Sequence, residues 1–155
     1  MNDLTDLVAP DAILPRLTAT SRRQALQMMA DALARSANID ARAAFEAVLM
    51  RERLSGTGMG EGVAIPHAQV AGVPRPIGCF ARLDPPHDFD AMDARPADLV
   101  FMLLTPPNRS ADHLKALARV SRFFRKAETR DKLRQARGAA ELRALIAGPA
   151  RSDAA

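Results

Sequence analysis

Three histidines, His67, His87 and His113, are the chain's imidazoles, and Cys79 is its one thiol. His67 closes the run Val63-Ala-Ile-Pro-His67, directly after a stretch in which Gly56, Gly58, Gly60 and Gly62 alternate. Pro66 restrains the backbone before it and pushes Ile65 towards extended geometry. An imidazole held at a stiff strand end is well placed for an exposed role. Neutral imidazole is nucleophilic near pH 7 and accepts a phosphoryl group without a separate base. The competing reading is a structural or merely exposed histidine. His113 falls in the first turn of a helix starting near Ser110, where free N–H groups and the helix dipole suit a bound phosphate. A hydrogen-bonded packing role fits the same position. His87, in Pro86-His-Asp-Phe-Asp90, reads as an exposed loop residue.

Arg51 stands just before the glycine stretch, where a guanidinium can neutralise a phosphoryl dianion through paired hydrogen bonds. It can equally complement the C-terminal end of a helix dipole, and Arg53 competes for either role. The segment Ser55–Gly62 lacks a P-loop lysine and runs into a strand rather than out of one into a helix, which argues against nucleotide binding. Its small residues permit close backbone approach, so Thr57, Gly58, Gly60 and Gly62 are candidates for presenting N–H groups to an anion. A tight, irregular connection between a helix and a strand explains the same glycines. Other chemistries find little support. A single cysteine allows neither an internal disulfide nor a cysteine-based zinc site. Histidines spaced by 20 and 26 residues do not resemble a metal-ligand set. No serine nucleophile elbow is present, and neither a metal nor a cofactor is expected.

The elements that must position these residues are legible in part. Ser21-Arg-Arg-Gln24 is a capping-box pattern, and Leu26, Met29 and Leu33 follow at helical spacing until Asn38. Asp40 is a plausible N-cap for a second helix to about Arg53, with Phe45, Val48 and Leu49 as its apolar stripe. Val63–Ile65 and Ile77–Leu83 are strand candidates. Leu99–Leu104 is a continuous apolar run bounded by Pro96 and Pro106-Pro107, as in a strand buried on both faces. The third helix is expected to turn Leu114, Leu117, Ser121 and Phe124 inwards and Asp112, Lys115, Arg119, Arg122 and Lys126 outwards. Shorter helices follow at 128–135 and 139–146. Helices before, among and after a few apolar strands predict a single-domain α/β sandwich with a mixed sheet.

At 155 residues, with 48% hydrophobic and 26% charged side chains, the chain fits one globular domain. The expected domain covers residues 1–148, and 149–155 read as a flexible tail. No basic n-region precedes an apolar stretch at the N-terminus, and no apolar run approaches the roughly 20 residues that span a bilayer. Cytoplasmic residence without membrane insertion is the expectation. Residues 1–105 carry a net charge of −3 and residues 106–155 one of +7. Such asymmetry suits an acidic or nucleic-acid partner, but no nucleic-acid-binding motif accompanies it, and 19 of the 22 basic residues are arginine. A solvated helix surface is the simpler reading, so no nucleic-acid partner is expected.

The segment from Arg51-Glu-Arg-Leu-Ser through Gly-Val-Ala-Ile-Pro-His67 resembles the active-site segment of the enzyme IIA proteins of the phosphoenolpyruvate-dependent phosphotransferase system, mannitol/fructose class. The apolar strand followed by His113-Leu114 near a helix start extends the likeness, and Phe89-Asp-Ala-Met-Asp93 resembles a stretch typical of the nitrogen-regulatory branch. The resemblance spans roughly residues 5–147. It implies a mixed sheet flanked by helices on both sides, His67 as the phosphorylated residue, His113 as a hydrogen-bond donor to the phosphoryl oxygens, and Arg51 as the charge-neutralising group. It further implies an HPr-type carrier as phosphoryl donor and protein targets regulated by phosphorylation state. A sugar-specific role, relaying phosphate to a IIB component for fructose or mannitol uptake, is the alternative. Docking of a carrier requires an apolar surface with a charged rim around His67, for which Met59, Val63 and Ile65 are candidates, though each also fits a core position.

Overall fold

A computed structural model of the chain describes residues 4–148. The expected tail, 149–155, lies outside the described residues. In chain order the elements are β1 (Val8–Leu17), α1 (Arg22–Ala37), α2 (Ala41–Leu54), β2 (Gly58–Gly60), β3 (Val63–Ala64), β4 (His67–Gln69), β5 (Ile77–His87), β6 (Ala97–Thr105), α3 (Ser110–Arg125), α4 (Ala127–Gln135) and α5 (Ala139–Ala147). The strands form one six-stranded sheet in the order β1-β5-β6-β3-β2, with β4 also paired to β6. β5 and β6 run antiparallel, whereas β1 lies parallel to β5, and β3 and β4 lie parallel to β6. The sheet is therefore mixed, as the arrangement of apolar runs predicted.

β6 is the spine. Its alternate side chains enter two separate cores, which is why the run reads as continuously apolar. Val100, Met102 and Leu104 face the core that α1 and α2 cover, with Leu26, Met29, Leu33, Phe45 and Val48. Leu99, Phe101 and Leu103 face the opposite core, built with Val120, Phe124, Leu133, Leu142 and Ile146 from α3, α4 and α5. Helices thus flank both faces.

Caps set the helix bounds. The Ser21 hydroxyl accepts from the Gln24 N–H at 3.0 Å, and the Gln24 side chain reaches back to the Thr20 N–H at 2.6 Å, one residue earlier than an ideal capping box requires. Asn38 adopts the left-handed conformation that ends α1. Asp40 accepts from the Arg42 and Ala43 N–H groups at the start of α2.

Three strands were not legible. β1 contains Pro10 and Pro15, which argue against a strand unless it lies at a sheet edge, and it does. β2 and β4 are three residues each, too short to show a period. The inward face of α3 also differs from expectation. Ala116, Val120, Phe123 and Phe124 are buried, while Leu114 is 64% exposed. The buried stripe is rotated by about one position: Phe124 is buried and Leu117 packs against the core as expected, while Leu114 turns outwards.

Candidate functional site

β3 and β4 lie end to end along one side of β6, with Ile65-Pro66 between them. Val63 and Ala64 pair with Leu99 and Val100, and His67 to Gln69 pair with Leu103 to Thr105. Pro66 cannot donate to the ladder, but its carbonyl accepts from the Leu103 N–H at 2.9 Å, so the strand path continues through it. Ala68 packs into the core beneath α1 and α2. Alternation therefore turns His67 to the other side of the sheet, the side of α3.

β6 ends at Thr105, and Pro106-Pro107 stop it before α3 begins. His113 sits in the first turn of α3, its N–H bonded to the Arg109 carbonyl. The two histidines, 46 positions apart, come together with ring centroids 5.3 Å apart and planes inclined at 52°. His87 is not part of the pair. It ends β5 with its Nε2 bonded to the Ala19 carbonyl at 2.8 Å, half-buried rather than exposed in a loop.

The hydrogen bonds fix one tautomer. His67 Nδ1 lies 2.7 Å from the Ile65 carbonyl oxygen. A carbonyl only accepts, so Nδ1 carries the proton and Nε2 keeps its lone pair. His113 Nδ1 lies 2.6 Å from the hydroxyl of Thr105, a polar side chain fully buried at the end of the apolar run Leu99–Leu104. When that hydroxyl donates, His113 Nε2 bears a proton and becomes a donor. Burial lowers the His67 pKa below its ordinary 6.5; the Ile65 bond opposes this, and the charges of Arg51 and His113 add to it. Burial and then Arg51 lower His113 in the same way. Both rings are accordingly neutral near pH 7.

Arg51 is in the last turn of α2, close enough for its charge to act on both imidazoles. Its Nη1 donates to the Ser55 carbonyl at 2.7 Å, which ties it to the loop it precedes. The next residue, Glu52, is buried, and sequence reasoning passed over it. Its carboxylate accepts from the Thr57 N–H at 2.9 Å and from the Thr57 hydroxyl at 2.7 Å.

Two of the loop's amides already have protein acceptors. The Thr57 N–H is taken by Glu52 and the Gly58 N–H by the Phe89 carbonyl. Gly60 pairs with Val63 across the β2–β3 turn, and Gly62 lies against Arg134 and Asp98. Close approach explains the glycines best at two positions. A Cβ at Gly56 would stand 2.3 Å from the Phe89 carbonyl, and one at Gly58 would stand 2.8 Å from the Ala91 methyl.

The exposed apolar side chains are only in part those expected. Val63 and Ile65 are core, at 2% and 3% exposure, and only Met59 is exposed among the three candidates. Leu114, next to His113, and Met50 and Leu54, which share a face of α2 with Arg51 between them, are exposed instead. Among the described residues no helix is long and apolar enough to cross a membrane.

The family described as "Phosphoenolpyruvate-dependent sugar phosphotransferase system, EIIA 2" matches residues 6–148, and the chain belongs to it. Within that family its relatives include a nitrogen regulatory protein of Bradyrhizobium diazoefficiens, 49% identical over 94% of this chain and 95% of the relative. Another from Pseudomonas aeruginosa is 36% identical over 92% and 94%. The crystal structure of nitrogen regulatory protein IIA-Ntr from Neisseria meningitidis superposes with a TM-score of 0.84 at 32% identity, covering 92% of this chain and 97% of that one.

Proposed function

We propose that the chain is a phosphocarrier of the nitrogen-related phosphotransferase branch, taking a phosphoryl group on His67 from an HPr-type carrier and regulating partner proteins by its phosphorylation state. The observation that carries this reading is the Nδ1–H bond from His67 to the Ile65 carbonyl, with His113 5.3 Å away. Nε2 of His67 is the attacking atom. It forms the new P–N bond as the bond to the donor's imidazole breaks. The proton on Nδ1 stays where it is, so His67 needs no base. His113 donates from Nε2 to a phosphoryl oxygen, backed by Thr105, and Arg51 offsets the incoming negative charge. Such a reaction depends on positioning and charge neutralisation more than on covalent help from the protein.

Leu114, Met50, Leu54 and Met59 supply the apolar contact surface for the carrier. Cytoplasmic residence is part of the same reading. Regulation then follows from the added −1.5 to −2 charges, roughly, that a phosphoryl group brings to an interface.

The test is incubation with phosphoenolpyruvate, enzyme I and an HPr-type carrier, followed by mass measurement under neutral conditions because phosphohistidine is acid-labile. One phosphoryl group on wild type and none on His67→Ala is the expected result. Phosphorylation of His67→Ala, or none on wild type beside a loaded donor, would refute the assignment. Onward transfer to a purified IIB component would move the output from regulation to sugar uptake.

A further inference from the structure

We propose that Glu52 is a positioning residue for phosphoryl acceptance, setting the tautomer of His67 through Thr57 and Ile65; this rests on His67 being the acceptor. The links are continuous. The Glu52 carboxylate holds Thr57 by both its N–H and its hydroxyl. The Thr57 carbonyl accepts from the Ile65 N–H at 3.1 Å. The Ile65 carbonyl accepts the His67 Nδ1–H at 2.7 Å. Each end of the chain is anchored on a rigid element: Glu52 in α2 and His67 in β4 beside the central strand.

Three features set Glu52 apart from an ordinary loop anchor. It is 2% exposed, and taking a carboxylate out of water is costly. It lies in the last turns of α2, where the helix dipole disfavours negative charge. Its nearest cation, Arg22 of α1, stands at 3.7 Å and is shared with Asp90 at 2.9 Å. Burial accordingly raises the carboxyl pKa despite the bonds from Thr57 and the charges of Arg22 and Arg51. A fold that only needed to close the loop could do so without a buried charge here. What the carboxylate provides is two acceptors at a fixed distance from the helix axis, and with them the position of the Ile65 carbonyl. Without that acceptor the imidazole is free to move its proton to Nε2, which removes the nucleophilic lone pair from the attacking atom. The preceding residue works in concert, since Arg51 grips the same loop at the Ser55 carbonyl.

Wild type, Glu52→Leu, Glu52→Gln and Thr57→Val are compared by two readouts: the His67 ring nitrogens by long-range proton–nitrogen NMR, and the initial rate of phosphorylation by a loaded HPr-type carrier. Circular dichroism and thermal unfolding identify variants that are folded. Wild type should show the Nδ1–H form. Glu52→Leu should shift His67 towards Nε2–H and slow acceptance at least about ten-fold. Glu52→Gln should recover both readouts, because its carbonyl accepts from the Thr57 N–H and its amide donates to the Thr57 hydroxyl. Thr57→Val, which keeps the N–H contact, should shift both partially and serves as the deciding variant if Glu52→Leu does not fold. An unchanged tautomer in the folded Leu variant or in Thr57→Val overturns the proposal. So does a Gln variant as impaired as Leu, which would make charge rather than placement the active property. Wild type that takes no phosphoryl group refutes the functional reading alone, and the NMR comparison still decides for or against Glu52.

Discussion

At the scale of single residues, the site pairs two neutral imidazoles with neighbours of different kinds. His67 answers to a carbonyl, which only accepts, and His113 to a hydroxyl, which can donate. Because burial, Arg51 and His113 outweigh the opposing Ile65 bond and lower the His67 pKa, the nucleophilic form persists on acidification past the ordinary value of 6.5. Initial rates of phosphoryl acceptance, measured from about pH 5 to 8 with donor loading followed in parallel, should hold to pH 6.5 and fall only below it. A midpoint at or above 6.5 would contradict the assigned environment. His113→Ala should slow acceptance by about 10²-fold, the usual effect of losing one donor to developing charge. Thr105→Val keeps the shape and removes the hydroxyl, so its rate in the same assay should fall between wild type and His113→Ala.

At the scale of elements, a helix end, a glycine-rich turn and three short strands are clamped into one unit. α2 delivers Arg51 and Glu52, and each takes hold of the loop that follows. The segment at 89–91 presses on the other side, through the Phe89 carbonyl and the Ala91 methyl. Gly58→Ala places a Cβ 2.8 Å from the Ala91 Cβ and 2.9 Å from the Phe89 carbonyl, so backbone must shift. Urea unfolding should show a loss of about 1–3 kcal/mol. Phosphorylation should fall as well, since Gly58 adjoins Thr57. A variant as stable as wild type would mean that the turn yields more readily than its contacts suggest. The glycines that looked suited to an anion are better explained by these contacts, because the amides of Thr57 and Gly58 already have protein acceptors.

At the scale of the whole molecule, the sheet separates two cores and the site lies where β4, parallel to β6, meets the entry to α3. Part of the basic charge in residues 106–155 is used within the fold. Arg134 pairs with Asp98 at 2.9 Å and reaches the Glu61 carbonyl, and Arg130 binds the carbonyls that end α3. Arg119 pairs with Asp6 across the fold. Stability should depend on pH through the site itself. His67 and His113 have folded-state pKa values below the unfolded 6.5, so the unfolded chain binds more protons as pH falls through that value. Acidification from about pH 7 to 5 should therefore destabilise wild type through these two residues. The raised pKa of Glu52 works in the opposite sense, its contribution being complete below 4.5 and lost as pH rises through the folded value. Removing both histidines isolates their share: in urea unfolding at the two pH values, the His67→Ala/His113→Ala protein should lose less stability on acidification than wild type. An equal loss in both would place the sensitivity elsewhere.

The sequence by itself determined the helices and the central strand, because caps such as Ser21, Asn38 and Asp40 and a doubly buried apolar run are local signals. It also singled out His67, through the glycine run and the proline before it, and Arg51 and His113 by resemblance. Tertiary structure decided the rest. The edge strand with its prolines and the three-residue strands exist only because β5, β6 and β3 offer them partners. Leu114 is exposed because packing of α3, not its period, selects the inward face. The tautomer of His67, the support of His113 by Thr105 and the grip of Glu52 on Thr57 all depend on atoms brought within 3 Å by the fold. Residue type announces that an imidazole can react; which nitrogen does so is set by a hydrogen bond, and that is a property of position in space.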